Sequence, residues 1–184
     1  MGLNAHFIQK QLIPWVFYFA LIALVRFRFD LSLLAWLTGG ALAAVFMVFE
    51  RLLHFLWLHP ELDESSQIKH LVQSRQFASV FRLLISQNVH ASRLLGLSVL
   101  FLACWIVLAL FIVSSSPSFL AKGLVMGIGL RPALLILRHW NQPKAISELL
   151  YWQIKRELSE KEIRVLGGCF VALFGLLSLW LMVS

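Results

Sequence analysis

Three stretches of this sequence contain no charged residue and are nearly or fully long enough to cross the hydrocarbon core of a lipid bilayer. They are residues 31–49, 94–121 and 165–184. A helix rises about 1.5 Å per residue and the core is about 30 Å thick, so about 20 residues cross it. Because the chain is 60% hydrophobic and 14% charged, it has too few polar side chains to cover a water-soluble domain of 184 residues. The sequence therefore predicts an all-α, polytopic integral membrane protein.

A fourth apolar run, residues 11–25, is shorter than the other three. Aromatic residues within it resemble the belts found at the ends of transmembrane helices, so we predict another span here. A cleaved signal peptide is the alternative. It is disfavoured because no small-residue cleavage site follows the run, and Arg26 and Arg28 come directly after it.

The stretch 118–139 is the hardest to interpret, because Lys122, Arg131 and Pro132 interrupt it. As a helix it would be about 33 Å long, which is enough for a crossing. If it crosses, twelve basic residues share one side of the membrane. Three lie on the other side: Arg26, Arg28 and Lys122. The positive-inside rule then favours five crossings in a prokaryotic plasma (inner) membrane, with the N-terminus cytoplasmic and the C-terminus outside.

These spans divide the chain into five segments. They are a first transmembrane helical hairpin (1–58), a cytoplasmic amphipathic helical hairpin (59–93), a second transmembrane hairpin (94–140), a cytoplasmic amphipathic helix (141–162) and a last transmembrane helix (163–184). The predicted spans are 11–27, 31–57, 94–115, 117–139 and 163–183. A break at 74–76 separates the two short helices of the cytoplasmic hairpin.

Both cytoplasmic segments show apolar residues at spacings of three and four, which is typical of helices with one apolar face. Ile68 and Leu71 belong to the first such face, and Ile146 and Leu150 to the second. The faces can lie on the inner leaflet or pack against one another. Alternatively, they can form a docking surface for another protein.

Polar residues at the run boundaries predict where the helices begin. Asp30 is placed to cap the second span, and Ser116 followed by Pro117 is typical of an N-cap and first-turn proline. Ser159 and Glu162 match a capping box ahead of the last apolar run.

Arg131 is the most informative polar residue, because an arginine exposed to lipid costs from about 3 to more than 10 kcal/mol. Its side chain should therefore face the bundle interior, water or a headgroup, and Pro132 beside it favours a kink. Counted along the predicted spans, its expected partner is Glu50. The pair would be either a structural ion pair that fixes helix register or part of a site for a substrate, an ion or a lipid headgroup.

Three glycines precede Arg131 and are candidate helix-packing residues: Gly123, Gly127 and Gly129. The first two form a GxxxG pattern, which lets two helices approach closely. We therefore expect this span to be central in the bundle.

Glu50 and His54 lie one helical turn apart and share a face, as metal ligands or a proton relay would require. Further histidine and acidic residues follow: His59, Glu61, Asp63 and Glu64. The favoured interpretation is a capped helix with interfacial histidines. Because the motifs HExxH, GxSxG, CxxC and glycine-rich phosphate loops are absent, we predict no catalytic residue, no metal site and no cofactor.

These features favour a non-catalytic multi-pass membrane protein, a scaffold or small subunit that docks a partner through its cytoplasmic amphipathic helices. The alternative is a small oligomeric carrier or channel that uses Arg131 for an anionic or lipid-like substrate. A membrane-embedded lipid enzyme built on Glu50, His54 and the nearby acidic residues is a third class. Expected partners are the lipid bilayer and either another protein or further copies of the chain. Nucleic acid is not expected, because the basic residues behind the net charge of +7 flank apolar runs.

Overall fold

The computed structural model describes residues 5–26, 30–53, 63–76, 79–80, 95–151 and 158–183. Over these ranges the chain forms seven α-helices and no strand, which confirms the all-α class. The helices are α1 (Ala5–Arg26), α2 (Leu31–Leu53), α3 (Asp63–Gln73), α4 (Val99–Ser115), α5 (Phe119–Arg138), α6 (Pro143–Leu150) and α7 (Glu160–Val183). A short 3₁₀ turn, Leu95–Leu97, precedes α4.

Three of the described helices are long and apolar enough to cross a membrane: α2, α5 and α7. Two shorter apolar segments, Ile13–Arg26 in α1 and Val99–Ser115 in α4, pack with them. Large apolar side chains on all five helices remain exposed, including Leu24, Leu100 and Val183. Such an extensive apolar surface is typical of helices that face lipid.

Helix α5 lies at the centre of the bundle, as its sequence predicts. It packs against α2, α4 and α7, and it is the most buried of the three long helices. Gly39 lies beside Gly123 near one end of the α2–α5 contact, and Glu50 lies beside Arg131 near the other. The earlier residue of α2 lies beside the earlier residue of α5, and the later residue lies beside the later one. Helices α2 and α5 therefore run parallel to each other.

The other three apolar helices run in the opposite direction. Gly167, near the start of α7, lies against Ile136, near the end of α5. Helix α1 runs parallel to α7, and its Tyr18 hydroxyl lies 2.9 Å from the hydroxyl of Ser178. Helix α4 begins close to Glu50, where α2 is about to end. Along the chain the five apolar helices therefore alternate in direction, as helices that cross a membrane in succession must.

The first and last apolar helices begin earlier than the predicted spans, at Ala5 and Glu160, and the third and fourth begin later. The third span begins at Val99 rather than at residue 94, because Ser98 is its N-cap and its hydroxyl accepts a hydrogen bond from the Phe101 N–H. The fourth begins at Phe119, and its N-cap is Ser118 rather than Ser116. Ser116 instead ends α4, with its N–H bonded to the preceding turn, so the prediction for this residue was wrong.

Of the other two predicted caps, the one at Ser159 is present, whereas Asp30 precedes α2 but bonds the first helical N–H instead of the second or third, which an N-cap side chain bonds. The Asp30 carboxylate accepts a hydrogen bond from the Leu31 N–H at 2.7 Å. The Ser159 hydroxyl accepts from the Glu162 N–H at 3.3 Å, and the Glu162 carboxylate accepts from the Ser159 N–H at 2.8 Å. These reciprocal bonds confirm the capping box at the start of α7.

Tryptophan side chains anchor the core where the helices meet. Trp36 is fully buried, and its indole N–H donates to the Phe19 carbonyl oxygen. Trp105 donates to the Val125 carbonyl oxygen at 2.8 Å and packs against Phe170. Buried indole N–H groups need such acceptors, so these bonds satisfy polar atoms inside an apolar core.

The apolar faces of α3 and α6, the two helices that the sequence places in predicted cytoplasmic segments, are covered by the protein itself. In α3, Ile68 is fully buried and its cluster includes Leu52 from the end of α2. In α6, Ile146 and Leu150 are fully buried in the main core. Each helix is therefore fixed to the bundle by its apolar face and presents its polar face outward.

The ends of α3 and α6 follow the sequence in part. The predicted break after α3 is confirmed, because Arg75 adopts a left-handed conformation with φ of 56° and the Gln76 N–H bonds the Leu71 carbonyl. The second helix of that hairpin falls mostly outside the described residues. Helix α6 ends at Leu150 with Tyr151 as its C-cap, and residues 152–157 of the predicted helical segment 141–162 lie outside the described residues. Burial raises the pKa of the Tyr151 phenol.

Candidate functional site

The candidate polar site inside the bundle is an ion pair between α2 and α5. Arg131 Nη1 lies 3.0 Å from Glu50 Oε2, with only 16% and 9% of the two side chains exposed. At this distance the contact is both a salt bridge and a charge-assisted hydrogen bond. The structure thus brings together the two residues that the sequence analysis paired.

A backbone amide completes the surroundings of the Glu50 carboxylate. Its other oxygen, Oε1, accepts a hydrogen bond from the Gly96 N–H in the 3₁₀ turn before α4. A side chain at Gly96 would meet this carboxylate at about 2.9 Å, so glycine allows the close approach. One carboxylate therefore joins three elements: α2, α5 and the start of α4. This partner was not predicted, since a backbone N–H gives no signal in the sequence.

The predicted GxxxG face contacts α2, where it meets two further glycines. A side chain at Gly123 would overlap the backbone carbonyl of Trp36, and one at Gly39 would lie 2.8 Å from the Leu124 backbone nitrogen. A side chain added at Gly127 would lie only 2.6 Å from the Ala43 side chain. Small residues on both helices thus permit backbone-to-backbone contact. Gly39 and its neighbour Gly40 were missed in the sequence, although their adjacency in an uncharged run is a usable signal.

Gly129 belongs to a different contact. A side chain there would overlap the indole ring of Trp105, so Gly129 allows close packing of α4 against α5 and does not contribute to the contact with α2. The three predicted packing glycines therefore serve two interfaces of α5. This division gives α5 close contact with helices on both sides.

His54, His59 and Glu61 lie outside the described residues, as do the side chains of Asp63 and Glu64. The proposed relationship between Glu50 and His54 therefore stays a prediction. In the part of the chain that the structure describes, no three His, Cys, Asp or Glu residues are grouped to hold a metal ion. Cys104 and Cys169 are free thiols on exposed positions of α4 and α7.

Together these features show that the described part of the chain is all-helical, with three helices long and apolar enough to cross a membrane and an ion pair between Glu50 and Arg131 inside the bundle. Comparison of the chain with protein-family models, with curated proteins and with solved structures finds no match. Function must therefore be argued from the residues themselves.

Proposed function

We propose that the chain is a non-catalytic membrane protein with five crossings, and that it acts as a scaffold or small subunit. In this proposal it lies in a prokaryotic inner membrane with its N-terminus in the cytoplasm and its C-terminus outside. It holds a partner protein through the polar face of α3. The bilayer is its other partner.

The course of α5 supports the five-crossing arrangement. This helix carries Lys122 and Arg131, yet it runs through the bundle parallel to α2. A helix that lay flat on the surface would not pair its buried arginine with a carboxylate on a membrane-spanning neighbour. The alternating directions of the five apolar helices agree with the asymmetry of basic residues.

The bonding of the polar groups within the bundle favours a non-catalytic role. Arg131 bonds Glu50, Tyr18 bonds Ser178, and Trp105 bonds a backbone carbonyl. Catalysis requires side chains positioned to reach a substrate, whereas these groups satisfy one another. Transport of an anion by Arg131 would also require the substrate to displace the Glu50 carboxylate, so the carrier interpretation has less support.

The observation that most supports docking of a partner is the polar surface of α3, which consists of Ser66, Gln67, Lys69, His70 and Gln73. All five side chains are exposed, while Ile68 on the opposite face is fully buried. Ser66, Gln67 and His70 lie together on an open part of this surface. Because α3 is fixed by its apolar face, it can present these polar groups to a partner without rearranging.

Lys69→Glu should weaken partner binding, because it reverses the charge at the centre of the α3 polar surface. We expect the amount of stoichiometric companion recovered after purification in mild detergent to fall by at least about fivefold, as for loss of electrostatic complementarity. The measurement is quantitative mass spectrometry of the purified complex.

Lys144→Glu is the matched control, because it makes the same charge change at an exposed position of α6. It should leave recovery unchanged. Equal losses for the two variants would contradict a specific role for α3. A preparation that contains only copies of this chain would contradict the scaffold proposal and favour transport.

A further inference from the structure

Arg75 lies directly after α3 in a backbone conformation that residues with side chains rarely adopt. Its φ of 56° is in the left-handed region, and no other non-glycine residue among those that the structure describes has a positive φ. Its N–H bonds the Val72 carbonyl at 3.0 Å, and the Gln76 N–H bonds the Leu71 carbonyl at 3.0 Å. These two bonds form a Schellman motif, in which Arg75 takes the position that glycine usually occupies.

An arginine at this position strains the backbone. Glycine adopts the left-handed region freely, whereas the Cβ of any other residue crowds the neighbouring carbonyl oxygen. The Arg75 side chain is exposed, and within the described ranges its guanidinium makes no hydrogen bond, ion pair or ring contact that would offset the strain. Residues held in such conformations cluster at binding sites. We therefore expect the favourable contact of this side chain to be made with another molecule.

The C-terminal half of α3 adds a second positive charge near Arg75. Lys69 is exposed, and in the part of the chain that the structure describes it makes no ion pair. His70 is exposed beside it. The acidic residues of α3, Asp63 and Glu64, are in the first turn, at the opposite end of the helix. The charges at this end are therefore basic, which complements a partner that carries carboxylates.

The exposed surface of α3 suits a protein better than a lipid bilayer. A helix that lies on a membrane turns large apolar side chains towards the acyl chains. In α3 the apolar residues face the protein instead, because Ile68 is fully buried and Leu71 and Val72 are half-buried in the same cluster. No large apolar side chain between residues 66 and 76 is strongly exposed.

Building on the docking role proposed for α3, we infer that Arg75 and Lys69 bind an acidic segment of the partner protein. The planar guanidinium of Arg75 binds a carboxylate, to which it can donate two parallel hydrogen bonds. Lys69 supplies a second positive charge, which fixes the register of the acidic segment. The strain at Arg75 holds this side chain at the end of α3, where the partner reaches it.

The test measures binding of labelled octaglutamate to the full chain in a mild uncharged detergent, with octaglutamine as the neutral probe. Octaglutamate should bind at least about tenfold more tightly, and its affinity should fall as salt is added. Equal affinities for the two peptides would overturn the inference. Displacement of octaglutamate by phosphatidylglycerol but not by phosphatidylcholine would indicate a lipid surface and would overturn the assignment to a protein.

Arg75→Gly separates binding from folding, because glycine adopts the same backbone conformation without the side chain. Its Tm should equal that of the unchanged chain or exceed it by up to about 3 °C. Its affinity for octaglutamate should fall at least about fivefold, since the guanidinium is lost. Arg164→Gln, which removes an exposed arginine from α7, is the control and should bind fully. A lower Tm or an unchanged affinity in Arg75→Gly would overturn the inference.

Recovery of the natural companion distinguishes this inference from the proposed function. If Lys69→Glu lowers the recovery and Arg75→Gly does not, the docking role of α3 stands and the assignment of Arg75 is wrong. If no companion is recovered with the unchanged chain, the docking role itself fails and the inference fails with it.

Discussion

Replacing Glu50 with leucine is expected to lower the free energy of unfolding by about 3–5 kcal/mol, because Arg131 then keeps a buried charge without its carboxylate. The Gly96 N–H loses its acceptor in the same variant. The double variant Glu50→Leu/Arg131→Met removes both charges and should recover most of the loss. Reversible unfolding in mixed detergent micelles measures both values.

An exposed ion pair in α7 provides the control. Arg164 lies 3.7 Å from Glu160 with about half of each side chain exposed. Arg164→Met should change stability by less than about 0.5 kcal/mol, since solvent screens exposed pairs. By contrast, Arg131→Met alone should be severely destabilising, because it leaves the Glu50 carboxylate buried with one partner fewer. If Arg131→Met and Arg164→Met changed the free energy of unfolding by the same amount, the buried ion pair would have no structural role.

Replacing Gly123 with alanine is the second change with a large expected effect. The added methyl group would overlap the Trp36 carbonyl, a backbone atom that cannot move without separating α2 from α5. We expect a loss of about 3 kcal/mol, at the upper end of the usual range for overpacking. The same unfolding measurement applies.

Gly175→Ala is the matched control for this substitution. Gly175 lies inside α7, and nothing lies within 4 Å of where its side chain would be. Alanine there should be neutral or stabilising by up to about 1 kcal/mol, because it favours the helical backbone. If both alanine variants had the same stability, close approach of α2 and α5 would not depend on Gly123.

The sequence predicts the pairing of Arg131 with Glu50 because charge burial leaves few solutions. An arginine at that depth must face the bundle interior, water or a headgroup, and the positions along the two predicted helices bring the Glu50 carboxylate within its reach. The second partner of Glu50 could not be predicted. Every residue except proline carries the same backbone N–H, so only the folded turn at Gly96 distinguishes this donor.

Local patterns predict helix ends well where they are unambiguous. The capping box of Ser159 and Glu162 is such a case, since its two bonds are formed between residues three apart. The prediction of Ser116 was wrong because a serine followed by proline matches the usual start of a helix, although Ser118 on the other side of Pro117 can also act as a cap. The structure selects Ser118, whose hydroxyl accepts from the Ala121 N–H.

Packing partners were the least predictable feature. A GxxxG pattern indicates that a helix face carries small residues, but it does not indicate which helix packs against that face. Gly129, which lies two residues after the pattern, packs against Trp105 of α4. The amphipathic faces of α3 and α6 pose the same problem. Their spacing identifies Ile68 and Ile146 as apolar contacts, whereas tertiary structure decides that the protein itself buries them.

The ion pair between Glu50 and Arg131 has a consequence for biosynthesis. The two residues are separated by 81 positions, so at about 5–20 residues per second a ribosome needs several seconds to reach the arginine codon after the glutamate codon. During that interval the nascent α2 carries an acidic group with no arginine to neutralise it. The first hairpin is therefore expected to stay beside the insertion machinery, and to be released into the bilayer once α5 has been made.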